Sequence, residues 1–137
     1  NGGGLRRPRP FYSGLVEHLI DWARSQFELN RDAGAGDGST VREHLQAAAR
    51  MTGVVPDELN TDPLPPGLDW LWQAFCELSE GRGGTGFGPA PLTWRDLCDW
   101  SALMQLQLTP WEAGVIRRLD REFLKTLGKN SHVDQGR

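Results

Sequence analysis

Long apolar runs are missing from these 137 residues. Nothing approaches the ~20 consecutive apolar positions that a membrane-crossing helix needs. The stretch Asn1-Gly-Gly-Gly-Leu-Arg-Arg-Pro-Arg-Pro10 lacks the apolar centre of a secretory signal. Cysteine is scarce: Cys76 and Cys98 are the whole set, and neither belongs to a Cys-x-x-Cys pair. That argues for a reduced protein without a disulfide framework. The three histidines, His18, His44 and His132, lie in separate segments, and no His or Cys pair has ligand spacing. Asp32 and Asp37 lack the alternating acidic pattern of a calcium loop. β-branched aliphatics are few, with two Ile and six Val against eighteen Leu, which disfavours sheet and favours helix. An excess of positive charge is also missing. The formal net charge is -3, which argues against a polybasic nucleic-acid or membrane binder.

What the chain does have is helix punctuation and tryptophan. Residues 1–10 carry Arg6, Arg7 and Arg9 among glycines and prolines and read as a disordered basic arm. The remainder, 12 basic against 18 acidic residues, is acidic. A first helix is expected from Ser13, as cap, to Leu29, followed by a glycine-rich linker over 30–38. Thr40-Val-Arg-Glu43 is a capping box opening a second helix that Gly53 should stop. A proline-punctuated connection follows, with one helical turn near Pro56–Leu59. The third helix, about Leu68 to Glu80, carries a stripe of Leu68, Leu71, Trp72, Phe75 and Leu78. Thr93 and Asp96 start a fourth helix reaching about Leu106. Its broad arc of Trp94, Leu97, Cys98, Trp100, Leu103 and Met104 predicts burial on several sides. Thr109-Pro-Trp-Glu112 combines a cap, a proline at the first position and a capping-box Glu. The last helix is expected to close at Gly128, before a polar, frayed tail over 129–137, and the short link should make it a close neighbour of the fourth. The expected architecture is all-α: a compact bundle of about five helices, with residues 11–40 as helix plus linker and residues 41–128 as the helical core domain.

Motifs for chemistry are weak. Gly81-Arg-Gly-Gly-Thr-Gly86 spells a dinucleotide loop, but a helix precedes it and Pro89-Ala-Pro91 follows it. Neither context aims amides at a phosphate, so a flexible helix connection is the better reading. No nucleophile-and-base string occurs, and no catalytic residue, cofactor or metal is expected. Acidic residues from Asp57 to Glu80 read as a solvated face. Arg117, Arg118, Arg121 and Lys125 on the last helix give a helix-turn-helix DNA-binding regulator a hearing. Against it stand Asp120 and Glu122, which interrupt the basic face, and an expected Arg118–Glu122 pair within that helix. Trp72, Trp94 and Trp100 fall on core arcs. Trp70 falls off its helix's stripe, Phe87 sits amid glycines and Trp111 opens a helix. These three are the candidate partner-binding residues, because an aromatic left outside a core can anchor a partner; against that, Trp70 could equally fold back on Pro65-Pro66, and Trp111 could go either way.

Several strings occur together: Glu43-His-Leu-Gln-Ala-Ala-Ala-Arg-Met-Thr-Gly53, Leu71-Trp-Gln-Ala-Phe-Cys-Glu-Leu78, Gly86-Phe-Gly-Pro89 and Leu92-Thr93. Leu108-Thr-Pro-Trp-Glu112 and Arg118-Leu-Asp120 complete the set. In this order and spacing, over residues 41–127, the chain resembles the tail assembly chaperones encoded in the tail-morphogenesis region of long-tailed bacteriophages and prophages. The resemblance implies an all-helical, non-enzymatic protein of the host bacterial cytoplasm. Its implied partners are the tail tape-measure protein and the major tail protein, with no small-molecule substrate. A structural connector or tail component retained in the particle is the alternative within the same setting.

Overall fold

The computed structural model describes residues 10–135, with side chains described over 14–128. The arm residues 1–9 lie outside that range, as do residues 136 and 137. The described residues form five α-helices: α1 (Pro10–Leu29), α2 (Val41–Thr52), α3 (Asp69–Glu80), α4 (Trp94–Leu103) and α5 (Pro110–Gln135). One 3-10 turn, Asp57–Leu59, follows α2, where the sequence predicts a single turn. No strand occurs among the described residues, which hold only two isolated β-bridges. The all-α class expected from the leucine-rich composition is what the chain adopts.

The local signals that hold are those with two reciprocal hydrogen bonds. At α2, Thr40 Oγ1 accepts from the Glu43 amide at 3.2 Å, and the Glu43 carboxylate accepts from the Thr40 amide. Thr93 with Asp96 opens α4 in the same way, and Thr109 with Glu112 opens α5. Each box satisfies two amides that a helix start leaves without partners. Gly53 ends α2 in the left-handed conformation, at φ 75°.

Two boundaries differ from expectation. α1 does not begin at Ser13; it starts three residues earlier, with Pro10 in the first turn, where a missing N–H loses nothing. α5 does not close at Gly128 but continues to Gln135. A glycine inside a helix costs only about 1 kcal/mol relative to alanine, so it stops a helix only where the chain takes the left-handed turn. Gly53 takes that turn and Gly128 does not.

The core lies where α1, α3 and α5 meet. Leu19 and Ile20 of α1, Leu71 of α3, and Ile116 and Leu119 of α5 are fully buried, as are Leu92 and Leu97. An aromatic cluster joins the three helices: Phe27 packs on Trp72, Phe75 and Phe123 with centroids 5.4–5.7 Å apart. Trp22 meets Trp72 edge-on at 4.9 Å. Such pairs add roughly 0.5–1.5 kcal/mol beyond the area they bury. Arg118 reaches Glu17 at 2.9 Å and Arg24 reaches Glu122 at 3.1 Å. Both pairings advance together along the two sequences, so α1 and α5 run in the same sense. The expected Arg118–Glu122 pair within α5 is therefore replaced: each member finds its partner on α1, because the helices pack with those side chains facing.

One expectation about α4 is overturned. It is not buried on several sides: only Leu97 is buried, while Trp94, Cys98, Leu103 and Met104 are exposed. Its main helix contact is α3, while Arg117 of α5 stacks on its Trp94. A tight turn follows α4. Leu106 N–H donates to Ser101 O at 3.0 Å and Gln105 N–H to Ala102 O at 3.2 Å, a Schellman turn that swings the chain away from α4.

The α1–α5 ion pairs give the fold an acid limit. Hydrogen bonding from Arg24 holds the Glu122 carboxyl below its ordinary value of 4.5, outweighing the opposing effect of burial. Arg118 does the same for Glu17, which is far more exposed and contributes less. A carboxyl depressed on folding contributes stability above its unfolded pKa, and that contribution is lost as pH falls through the lower folded value. Urea midpoints should therefore hold steady near neutrality and drop below about pH 4.5. Glu122→Gln should lower the neutral midpoint and flatten that acid limb.

Candidate functional site

The glycine-rich loop between α3 and α4 reads as free chain, yet one side chain fixes it. Arg82, just after α3, is 6% exposed, and its Nη2 lies 2.6 Å from Oδ1 of Asp120 on α5, itself 4% exposed. The approach is a close charge contact whose angle falls short of a hydrogen bond. The other Asp120 oxygen, Oδ2, accepts from the Leu92 amide at 2.8 Å. Arg82 further donates to Ala90 O at 3.0 Å and to Ser79 Oγ at 3.1 Å, and its guanidinium stacks 4.8 Å from the Phe123 ring centroid. The end of α3, both ends of the loop, the entry to α4 and the middle of α5 are thus tied to one buried ion pair. Sequence reasoning misses it. The helical spacing puts Asp120 on the charged face of α5, and Arg82 is one letter in a glycine string.

On that base the loop closes as a small hairpin. Ala90 N–H donates to Gly83 O at 2.8 Å, Thr85 N–H to Gly88 O at 2.9 Å, and Phe87 N–H to Thr85 Oγ1 at 3.2 Å. Gly86 takes φ 88°, a turn conformation that leaves Phe87 at the tip. Its side chain is fully exposed. An aromatic held outward on a pinned hairpin loses little conformational freedom when something covers it.

The other two aromatics picked out in sequence sit differently. Trp70 and Trp111 are half-buried, each packed against the edge of the core. Trp111 lines a shallow cleft of about 340 Å³ with Val16, Val115 and Arg118. The structure adds exposed apolar residues that the sequence assigns to the core. Trp94 is 53% exposed, with Arg117 stacked 4.2 Å from its ring centroid, and Leu103 is 78% exposed, with Met104 and Leu106 also open. The Schellman turn presents Leu103, Met104 and Leu106 together, with Gln105 held at φ 56°. A second apolar opening, a groove of about 550 Å³, runs between α1, α3 and α5 over Phe27, Trp72, Phe75 and Phe123.

For chemistry there is little material. Burial, reinforced by Glu80, pushes the Cys76 thiol up, away from the thiolate that nucleophilic or metal-binding work requires. No group of three or more His, Cys, Asp or Glu able to hold a metal occurs among the described residues. No helix among them is long and apolar enough to cross a membrane. The arrangement is suited to contact: a pinned aromatic and an uncovered helix face.

A family model described as phage tail assembly chaperone matches residues 48–125. That span is more than half of the chain. The chain belongs to the phage tail assembly chaperone family. The match begins inside α2, takes in α3, the Arg82 loop, Phe87 and α4, and ends on α5 beyond Asp120. The family's shared region therefore contains both halves of the buried ion pair and all three candidate aromatics, Trp70, Phe87 and Trp111. α1 lies outside it. No curated protein and no solved structure gives a significant match.

Two outcomes follow from this geometry. Asp120→Ala strands a buried guanidinium and the Leu92 amide, and should destabilise the fold by about 3–5 kcal/mol in chemical denaturation. Gln105→Gly removes the left-handed penalty at the α4 terminus and should stabilise by about 1 kcal/mol, read as a raised melting temperature.

Proposed function

We propose that the protein is a tail assembly chaperone that works in the host bacterial cytoplasm by surface contact, without catalysis. In this reading it holds the tape-measure protein and the major tail protein during tail morphogenesis. The family match over residues 48–125 carries the reading. A tape measure is a long helical chain with apolar stripes that stay uncovered until tail subunits polymerise around it. A holder for such a chain needs apolar anchors that are accessible and already positioned. Phe87 meets both requirements, and the exposed residues Trp94, Leu103, Met104 and Leu106 supply further area. Trp70 and Trp111 complete the proposed contact residues, offering the edges of rings already seated on the core. Burying a fully exposed phenylalanine is worth roughly 1.5–3 kcal/mol, enough for capture and release rather than permanent assembly.

The DNA-binding alternative loses material in the structure, since Arg118 and Arg24 are engaged in α1–α5 pairs and Arg117 stacks on Trp94. Co-expression with the tape-measure and major tail proteins encoded beside this gene tests the proposal. Wild-type protein should co-purify with one or both and be absent from finished virions. Phe87→Ala and Leu103→Ala should each reduce capture about tenfold or more while the melting temperature stays within a degree or two. No capture by the wild type, or its retention in virions, would overturn the reading.

A further inference from the structure

We infer that α2, with the loop before it and the 3-10 turn after it, is a strap that opens as a unit while the α1–α3–α5 core stays folded, with Leu29 as its latch. This inference is independent of the chaperone reading. α2 is capped at both ends by its own neighbours, Thr40 with Glu43 and then Gly53, and not by core residues. None of its residues is buried. Beneath it lies Leu29 at the end of α1, which is 5% exposed yet stands outside the contiguous core cluster. Leu29 instead lines a cleft of about 450 Å³ between α1 and α2, with Val41, Leu45 and Glu58. The strap spans that gap rather than filling it.

The other ties are polar and at or near the surface. Arg42 donates to Gln26 Oε1 at 2.7 Å and also contacts Asn30 Oδ1. Val41 N–H donates to Arg31 O and Ala33 N–H to Ser39 O, both at 2.9 Å. Hydrogen bonds at that depth are readily exchanged for water, contributing little net hold. The flanks are built to swing. Gly34, Gly36 and Gly38 all take φ near +80°, and Val54 and Val55 follow Gly53 outside any helix, with Pro56 extended. A segment with one buried apolar contact and exposed backbone bonds opens at far lower free energy than a helix sharing the main core. Opening would bare Leu29, Val41 and Leu45 beside Met51, Val54 and Val55, which are already exposed. That makes an apolar surface separate from the α4 face and available only in the open state.

Native-state hydrogen exchange on the full chain tests this. Once released, a helix of 12 residues melts in water, so its amides report each opening. Amides of α2 should exchange roughly a hundredfold or more faster than those of Leu19, Ile20, Ile116 and Leu119, with little dependence on denaturant. Leu29→Ala should speed α2 exchange about tenfold further and leave the core amides unchanged. If wild-type α2 exchanges at the core's rate, or if Leu29→Ala accelerates strap and core alike, the strap does not exist. The wild-type comparison decides the matter even if the variant folds poorly.

Discussion

The Arg82–Asp120 contact is the constraint around which the rest is arranged. A loop with glycine at 81, 83, 84, 86 and 88 has more conformational freedom to lose than almost any other sequence of its length. Hydrophobic burial cannot order it, because its middle has nothing to bury. A charge placed under Phe123 can, since its partner carboxylate lies beside it and both groups also hydrogen-bond to the segments around them. Arg82 supplies bonds to Ala90 and Ser79, and Asp120 takes up Leu92. The desolvation of two ions and the ordering of three segments are both offset by the mutual attraction of the pair and by these hydrogen bonds. Hence Phe87, midway between the end of α3 and the start of α4, still has a defined place.

That fixed place matters because the protein's apolar content exceeds what its core can take in. The core is completed by α1, α3 and α5; α4 is attached to it through Leu97 and carries Trp94, Leu103 and Met104 outward. Exposed apolar residues scattered singly are ordinary, but a pinned aromatic and a clustered helix end are the features on which the proposed contact surface rests. An acidic body offers a simple counterweight, since net charge of one sign opposes indiscriminate self-association.

Sequence reading succeeds where the determinant is local. Thr40, Thr93 and Thr109 each announce a helix through a residue three positions on, and all three boxes are present. It succeeds for the stripe of α3 because that helix has one partner-facing side. It fails at α4, where the periodicity correctly reports an apolar arc but cannot say whether the covering surface lies in the same chain. It fails at Gly128 because a glycine's letter does not reveal its φ. Arg82 and Asp120 are illegible for a different reason: they are 38 positions apart, and only the packing of α5 against the end of α3 makes a surface charge into a buried one. Of the aromatics, Phe87 is legible as exposed from its glycine neighbours. Trp70 and Trp111 need the packing to show that each rests half on the core.

The relation between α1 and the family's shared region has a physical consequence. The match ends at residue 48 on its N-terminal side, yet the core residues of α3 and α5 within it are covered by Val16, Leu19, Ile20, Ala23 and Phe27 of α1. Stripped of that helix, Leu71, Phe75, Ile116 and Leu119 would form a two-helix face with one side open to water, the arrangement that small helical units cannot sustain alone. α1 is therefore a structural third of the same folding unit, not an appended arm, although it lies beyond the matched residues. Because α1 and α5 run in the same sense, no tight turn can join them, and the whole intervening chain serves as the crossover. The parts that carry the exposed surfaces, α2, the Phe87 hairpin and α4, all belong to that crossover. The parallel pair with α3 forms the shared core, and the return path between its helices is where the exposed apolar residues are displayed.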